Sequence, residues 1–210
     1  SFTAAGNYMV ETGSGTTELQ GGGVLSSGFL ALDGGRKLLN EGIFNWTGGS
    51  LIYLGQNPTG TSVGGATIIN ALGATFNDAV AGTINNGSGT NAFNNAGTFQ
   101  TSFASGTTTI GDTFNNTGSV QVGTGGTLNL SGGGTSTGGS FTGGGTLQFS
   151  SGYTFDAAST ISTANAIFSA GTTTLAGTYS ATNTTLSGGT LTTGSSPITL
   201  GTNFTHAGGT

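Results

Sequence analysis

The sequence predicts an all-β chain wound into one right-handed, single-stranded parallel β-helix, a β-solenoid with coils of about 19–30 residues. Three observations predict it. Phe93-Asn94-Asn95-Ala96-Gly97-Thr98-Phe99 recurs 21 residues later as Phe114-Asn115-Asn116-Thr117-Gly118-Ser119-Val120. Gly126-Thr127-Leu128-Asn129-Leu130 recurs 19 residues later as Gly145-Thr146-Leu147-Gln148-Phe149. Between glycines, apolar residues alternate with Thr, Asn or Gln, which is the period of a strand and not of a helix. One short coil cannot bury its few inward residues alone, so units of this length must stack.

Composition narrows the class. The chain has 210 residues with 44 glycines, two prolines, no cysteine, two basic and seven acidic side chains. Disordered chains carry high charge and few aromatics, whereas this one has 13 phenylalanines and a mean hydropathy near zero. A net charge of −5 with only two basic residues argues against nucleic acid, which needs Lys and Arg to displace counterions. It argues equally against an anionic membrane surface. No apolar run is long enough for a spanning helix. The chain opens on Ser1 without a basic-then-apolar leader, as expected of a mature product, a fragment or one module. Low charge and abundant Thr, Asn and Gly fit a secreted or surface-attached protein better than a cytosolic enzyme.

Residues 1–37 are the least regular and hold Glu11, Glu18, Asp33, Arg36 and Lys37. Tyr8-Met9-Val10, Val24-Leu25 and Phe29-Leu30-Ala31-Leu32 are strand candidates there, parted by Gly21-Gly22-Gly23 and by the turn signal Asp33-Gly34. They read as first coils or as one divergent coil. Residues 38–125 carry a unit of Asn, any, Gly, any, apolar, Asn or Gln. It starts at Asn40, Asn95 and Asn116, and at Asn70 with two extra residues, so the spacing falls from 30 to 25 to 21. Extra residues belong in turns, and Gln56-Asn57-Pro58-Thr59-Gly60 is the clearest such insertion. Residues 126–210 switch to Gly-Thr-Leu, at Leu128, Leu147 and Leu191, with looser forms at Leu175 and Leu186. No linker parts these regions, and residues 1–210 read as one element of about nine coils, roughly 43 Å long.

Each residue type has a place in such a rod. Glycine turns corners at positive φ, and Asn95 and Asn116 are candidates for a ladder of like side chains on neighbouring coils. Sparse charge fits too, because in-register stacking would place like charges over one another.

The segments LNEGIFNWTGG (Leu39 to Gly49), INALGATFND, FNNAGTF, FNNTGSVQV and GGTLNLSGG resemble repeat regions of large secreted bacterial β-strand-repeat proteins. They are similar to filamentous-haemagglutinin-like adhesins and autotransporter passenger domains over roughly residues 38–200. The resemblance implies a right-handed parallel β-helix used as stalk, adhesin or surface-layer material. It implies no shared catalytic residue.

No catalytic, cofactor-binding or metal-binding residue is assigned. Beyond Glu41 the carboxylates are Asp78, Asp112 and Asp156, separated by 34 and 44 residues. A glycosidase-like pair must lie within about 10 Å, so they read as turn or surface aspartates. The cluster Asp33, Arg36, Lys37 and Glu41 reads as a solvated turn with local ion pairing. The calcium nonapeptide of β-rolls is absent, and His206 is the only histidine. Thr107-Thr108-Thr109 and Thr172-Thr173-Thr174 raise ice binding, which needs one Thr-x-Thr on every coil. Trp46 and Tyr53 are read as core or corner aromatics, with a sugar-stacking platform as the other possibility.

The functional expectation is a non-enzymatic structural or adhesive module of an extracellular bacterial protein, a stiff rod stacking end to end on neighbouring copies or repeats. Surface glycans or host or matrix polymers are its further candidate partners, without nucleic acid or membrane insertion, and no cofactor is called for. The alternative is a carbohydrate-binding or carbohydrate-active β-helix of tailspike or lyase type.

Overall fold

Three parallel ladders run the length of the computed structural model, which describes residues 2–4, 6–194 and 198–210. The first face stacks Phe2–Ala4, Gly23–Ser26, Ile43–Gly48, Thr75–Asp78, Thr98–Thr101, Ser119–Val122, the leading halves of Ser140–Phe149 and Thr160–Phe168, and Thr178–Tyr179. The second stacks Met9–Thr12, Phe29–Asp33, Leu51–Leu54, Thr83–Asn86, Gly106–Ile110, Gly126–Leu130, the trailing halves of the same two long strands, Asn183–Leu186 and Asn203–His206. The third stacks Thr16–Leu19, Arg36–Asn40, Ala66–Asn70, Asn91–Asn95, Thr113–Asn116, Gly134–Ser136, Tyr153–Phe155, Thr172–Leu175 and Thr190–Thr193. Successive strands visit the three faces in turn, with Asn203–His206 a further strand on the second, giving a β-solenoid of about nine coils. No helix occurs among the described residues.

The 21-residue register begins at the first strand, where Phe2 pairs with Gly23 and Thr16 with Lys37. Residues 1–37 therefore contain early coils of the same solenoid. Downstream, Asn40 pairs with Asn70, Asn70 with Asn95 and Asn95 with Asn116, the phase set by the sequence motif. The two extra residues of the second unit make the turn Ala71–Ala74, closed by the Ala74 N–H on the Ala71 carbonyl. Its tip, Leu72, is 88% exposed. The Gly-Thr-Leu motif turned out to mark two faces. Leu128 pairs with Leu147 on the second, whereas Leu191 lies on the third. A period-2 run names a strand but not the face it joins.

The interior is filled by rows that repeat from coil to coil. Phe44, Phe76, Phe99, Val120 and Phe141 form one row on the first face. Ile52, Ile84, Ile110, Leu130, Phe149 and Phe168 form another on the second, and Leu38, Ile68, Phe93 and Phe114 a third. All are buried, and apolar area removed from water is worth about 25 cal/mol per Å². The outer rows are matched amides. Asn77 Nδ2 donates to Asn45 Oδ1 at 3.2 Å and Gln100 Nε2 to Asn77 Oδ1 at 3.2 Å. Further along, Asn203 Nδ2 donates to Asn183 Oδ1 at 2.8 Å, and Asn183 Nδ2 to Asn165 Oδ1 at 2.9 Å.

Inside the third face, polar residues make a second, buried ladder. Asn40 Nδ2 donates to Asn70 Oδ1 at 2.8 Å, Asn70 Nδ2 to Asn95 Oδ1 at 2.7 Å, and Asn95 Nδ2 to Asn116 Oδ1 at 2.8 Å. The same amides also donate to the carbonyls of Thr75, Thr98 and Ser119 in the coil beyond. On the next coils the column continues as Ser136 and Phe155, and the amide ladder stops where the sequence changes motif.

The motif glycine is explained by space rather than by φ. Gly22 has φ of 78°, as a corner glycine should, but Gly42, Gly97 and Gly118 are absent from the left-handed region. A Cβ on Gly118 would fall 2.1 Å from the Gly97 carbonyl oxygen, and one on Gly97 2.3 Å from that of Ala74. Gly118→Ala is therefore expected to force two coils apart and to cost about 1–3 kcal/mol. Denaturant unfolding checks it; a loss below about 0.5 kcal/mol, an ordinary surface effect, would show that the coils can separate freely.

Candidate functional site

The three downstream carboxylates occupy three different corners. Asp78 ends the first-face strand Thr75–Asp78, Asp112 sits between the second-face strand Gly106–Ile110 and the third-face strand Thr113–Asn116, and Asp156 follows Tyr153–Phe155 on the third. Stacking does not bring them together as a pair. They do lie at turns, but two are not solvated as expected: Asp78 and Asp112 are fully buried. Asp78 Oδ1 accepts the Val80 N–H at 2.9 Å and Oδ2 accepts the Thr108 hydroxyl. Burial pushes its carboxyl up, and these bonds offset part of the rise. Asp156 is the opposite case. Its Oδ1 accepts the Gly138 N–H at 3.0 Å and the Ser159 hydroxyl at 2.7 Å, which hold its carboxyl below the ordinary value.

The N-terminal charge cluster divides in the fold. Asp33 is buried and accepts the N–H groups of Val63 at 2.8 Å and Gly64 at 2.6 Å. It thereby anchors the long loop that contains Pro58. Arg36 reaches to another coil, where its Nε pairs with Glu11 Oε2 at 2.8 Å and its Nη2 donates to Thr17 Oγ1 at 2.6 Å. Lys37 and Glu41 remain exposed. The expected local pairing is thus replaced by pairing between coils, because residues 25 apart in sequence are neighbours in the stack. His206 is exposed, with Nε2 3.1 Å from the Gly209 carbonyl oxygen. No group of three or more His, Cys, Asp or Glu capable of holding a metal occurs among the described residues.

Trp46 is a core residue. It is fully buried, its Nε1 donates to the Gly49 carbonyl at 3.2 Å, and Gly82 leaves room for its ring. The sugar platform drawn from Trp46 and Tyr53 is therefore not formed. Tyr53 instead belongs to an outward aromatic stack on the second face. Tyr8 and Phe29 lie with ring centroids 5.5 Å apart and nearly parallel, and Phe29 and Tyr53 meet edge-to-face at 5.3 Å. Tyr8 is 59% exposed. The sequence did contain the signal: Tyr8 and Phe29 are 21 residues apart, one coil. It was missed because the irregular first residues hid the period.

The threonine triplets fall on different faces, Thr107–Thr109 on the second and Thr172–Thr174 on the third. Thr108 and Thr173 point inward and are buried. On the third face Thr172-x-Thr174 aligns with Thr190-x-Thr192. The coil before them offers Gly152-x-Thr154, with Thr154 paired to Thr174. The Thr-x-Thr array spans two coils rather than the whole rod.

The fold and these surfaces define a parallel β-solenoid with buried corner carboxylates and matched outer ladders. No protein-family model matches the chain, and neither a curated protein nor a solved structure matches it.

Proposed function

We propose that the chain is a non-enzymatic structural or adhesive module, a stiff rod in an extracellular or cell-surface bacterial protein of the filamentous-haemagglutinin-like or autotransporter-passenger-like kind. One observation carries the reading: three parallel ladders continue from coil to coil, with register shifts at Leu25/Ser26 and Gly143/Thr146, and amide-on-amide rows lie both inside and outside the core. Such a rod resists bending because the interior strands are hydrogen-bonded to the coils on either side. The separation of Asp78, Asp112 and Asp156 onto three corners supports a non-catalytic role. Secretion is supported by the sparse charge and by the residues that resemble secreted repeat proteins.

The partner is a neighbouring copy or repeat, stacked end to end. An interior strand such as Thr98–Thr101 pairs in parallel with a strand on each side, and the same pairing would join a coil of one copy or repeat to a coil of the next. Electron microscopy over a concentration series tests this. Separate rods of roughly 43 Å at low concentration should join into filaments as concentration rises. Particles that stay single throughout would remove end-to-end assembly, and cleavage of a polysaccharide by the pure protein would overturn the structural reading.

The Tyr8–Phe29–Tyr53 stack, exposed at Tyr8 and half-buried at Phe29 and Tyr53, favours a second reading, a carbohydrate-binding β-helix, because sugar rings dock on aromatic faces. Glycan-array binding that disappears in Tyr53→Ala would favour it.

A further inference from the structure

Asp112 is buried to 0% exposure, and neither of its carboxylate oxygens has a hydrogen-bond partner. Asn91 lies in the same register on the adjoining coil, since Ala92 pairs with Thr113. The Asn91 amide nitrogen is committed elsewhere, to Asn86 Oδ1 at 2.8 Å and to the Ser88 carbonyl at 3.3 Å. Its Oδ1 is therefore also buried and unpartnered. On the other side of Asp112 the column continues with Gly132, which has no side chain to offer. Three acceptor oxygens, on two residues aligned in register on adjoining coils, are thus buried without a donor.

The asparagine ladder shows what this rung lacks. There each Nδ2 reaches the Oδ1 of the next coil at 2.7–2.8 Å, so stacked side chains can share one hydrogen between them. At Asn91 the amide nitrogen is engaged by Asn86 and Ser88 of its own coil, and an ionised Asp112 would be a buried charge with no donor. A buried carboxylate in that setting costs far more than a neutral acid. We propose that Asp112 is held as a carboxylic acid that donates its proton to Asn91 Oδ1, making this corner a proton-binding site that stabilises the middle coils and weakens as the proton leaves.

Burial raises the Asp112 carboxyl to about 7, and a hydrogen bond donated by the neutral acid acts in the same direction. With the folded value above the ordinary 3.8, the folded chain holds the proton that the unfolded chain releases. The stabilisation is complete below the unfolded value and is lost as pH rises to about 7. The strands around this corner, Thr83–Asn86, Asn91–Asn95, Gly106–Ile110, Thr113–Asn116, Gly126–Leu130 and Gly134–Ser136, carry no titratable side chain. The titratable groups tied to these strands are Asp78, bonded to Thr108 of Gly106–Ile110, and Tyr153, paired with Gly134. Arg36 is engaged with Glu11, and Lys37 is exposed.

Carboxyl-carbon NMR of the whole chain reads the site directly. Asp112 should titrate with a midpoint at or above about 7. Thermal unfolding from pH 5 to 8.5 should show a falling midpoint, equivalent to a loss of about a hundredfold in the folding equilibrium. Asp112→Asn supplies a permanent donor to Asn91, so it should remove that part of the slope and exceed the parent in stability at high pH. Asp78→Asn should leave the Asp112 midpoint in place. An Asp112 midpoint below 5 would overturn the proposal, as would an unchanged slope in Asp112→Asn. A parent stability at pH 8 that rises with added calcium or sodium, and does so only while Asp112 is present, would also overturn it in favour of a metal ion.

Discussion

Phe99→Ala is expected to cost about 3–5 kcal/mol, near the top of the range for removing a buried aromatic. Phe99 is fully buried where two faces meet. Its ring stacks on Phe76 at 5.7 Å and meets Phe93 and Phe114 edge-on at 5.5 and 5.8 Å. A cavity there cannot close, because Thr98–Thr101 is hydrogen-bonded to a strand on each side and each of those is held in turn. For a chain of this size the loss corresponds to a melting shift of about 6–20 °C. Gln100→Ala, one residue along and facing outward, should stay within about 1 kcal/mol. Native-state hydrogen exchange should localise the damage, since each coil contacts only its neighbours. Protection should fall over the strands Thr75–Asp78, Thr98–Thr101 and Ser119–Val122 and persist at Thr160–Phe168. Equal losses from the two variants would show that the aromatic row does not hold the coils together.

These expectations rest on a register that was largely legible in the sequence, for a physical reason. A parallel stack places residue i above its counterpart one coil away, so a motif that repeats in sequence repeats in space. Asn40, Asn70, Asn95 and Asn116 could be aligned from spacing alone, insertions included. What could not be read was direction. An aspartate between two strands looks like a solvent-facing turn residue, yet Asp78 and Asp112 point inward, because a solenoid corner has an inner side. The motif glycine misled in a similar way: its requirement is the approach of a neighbouring carbonyl, which no single coil reveals. The pairing of Glu11 with Arg36 and the stack of Tyr8 on Phe29 were hidden because the early coils lack the Asn-x-Gly unit that sets the phase later.

Asn70 offers the sharpest test of the inner ladder. Its Oδ1 accepts from Asn40, while its Nδ2 donates to Asn95 Oδ1 and to the Thr98 carbonyl. Asn70→Ala removes the donor from Asn95 Oδ1, which lies in a fully buried column. Asn40 keeps the Thr75 carbonyl as an acceptor at 2.9 Å, so the orphaned group lies on one side only. An unsatisfied buried acceptor costs about 1–3 kcal/mol, and the missing side-chain atoms add a cavity, for a total of about 3 kcal/mol. Asn70→Asp keeps the volume but replaces the donor with a second oxygen, reproducing the arrangement at Asp112. Its loss should therefore be greatest at neutral pH and recover on acidification, because a buried carboxyl regains its proton and with it a donor for Asn95. Denaturation at pH 5 and pH 8 separates the two variants. The Ala form should lose the same amount at both, and the Asp form more at pH 8. A pH-independent Asp variant would mean that solvent reaches the column, and that the ladder is held by backbone stacking rather than by its amides.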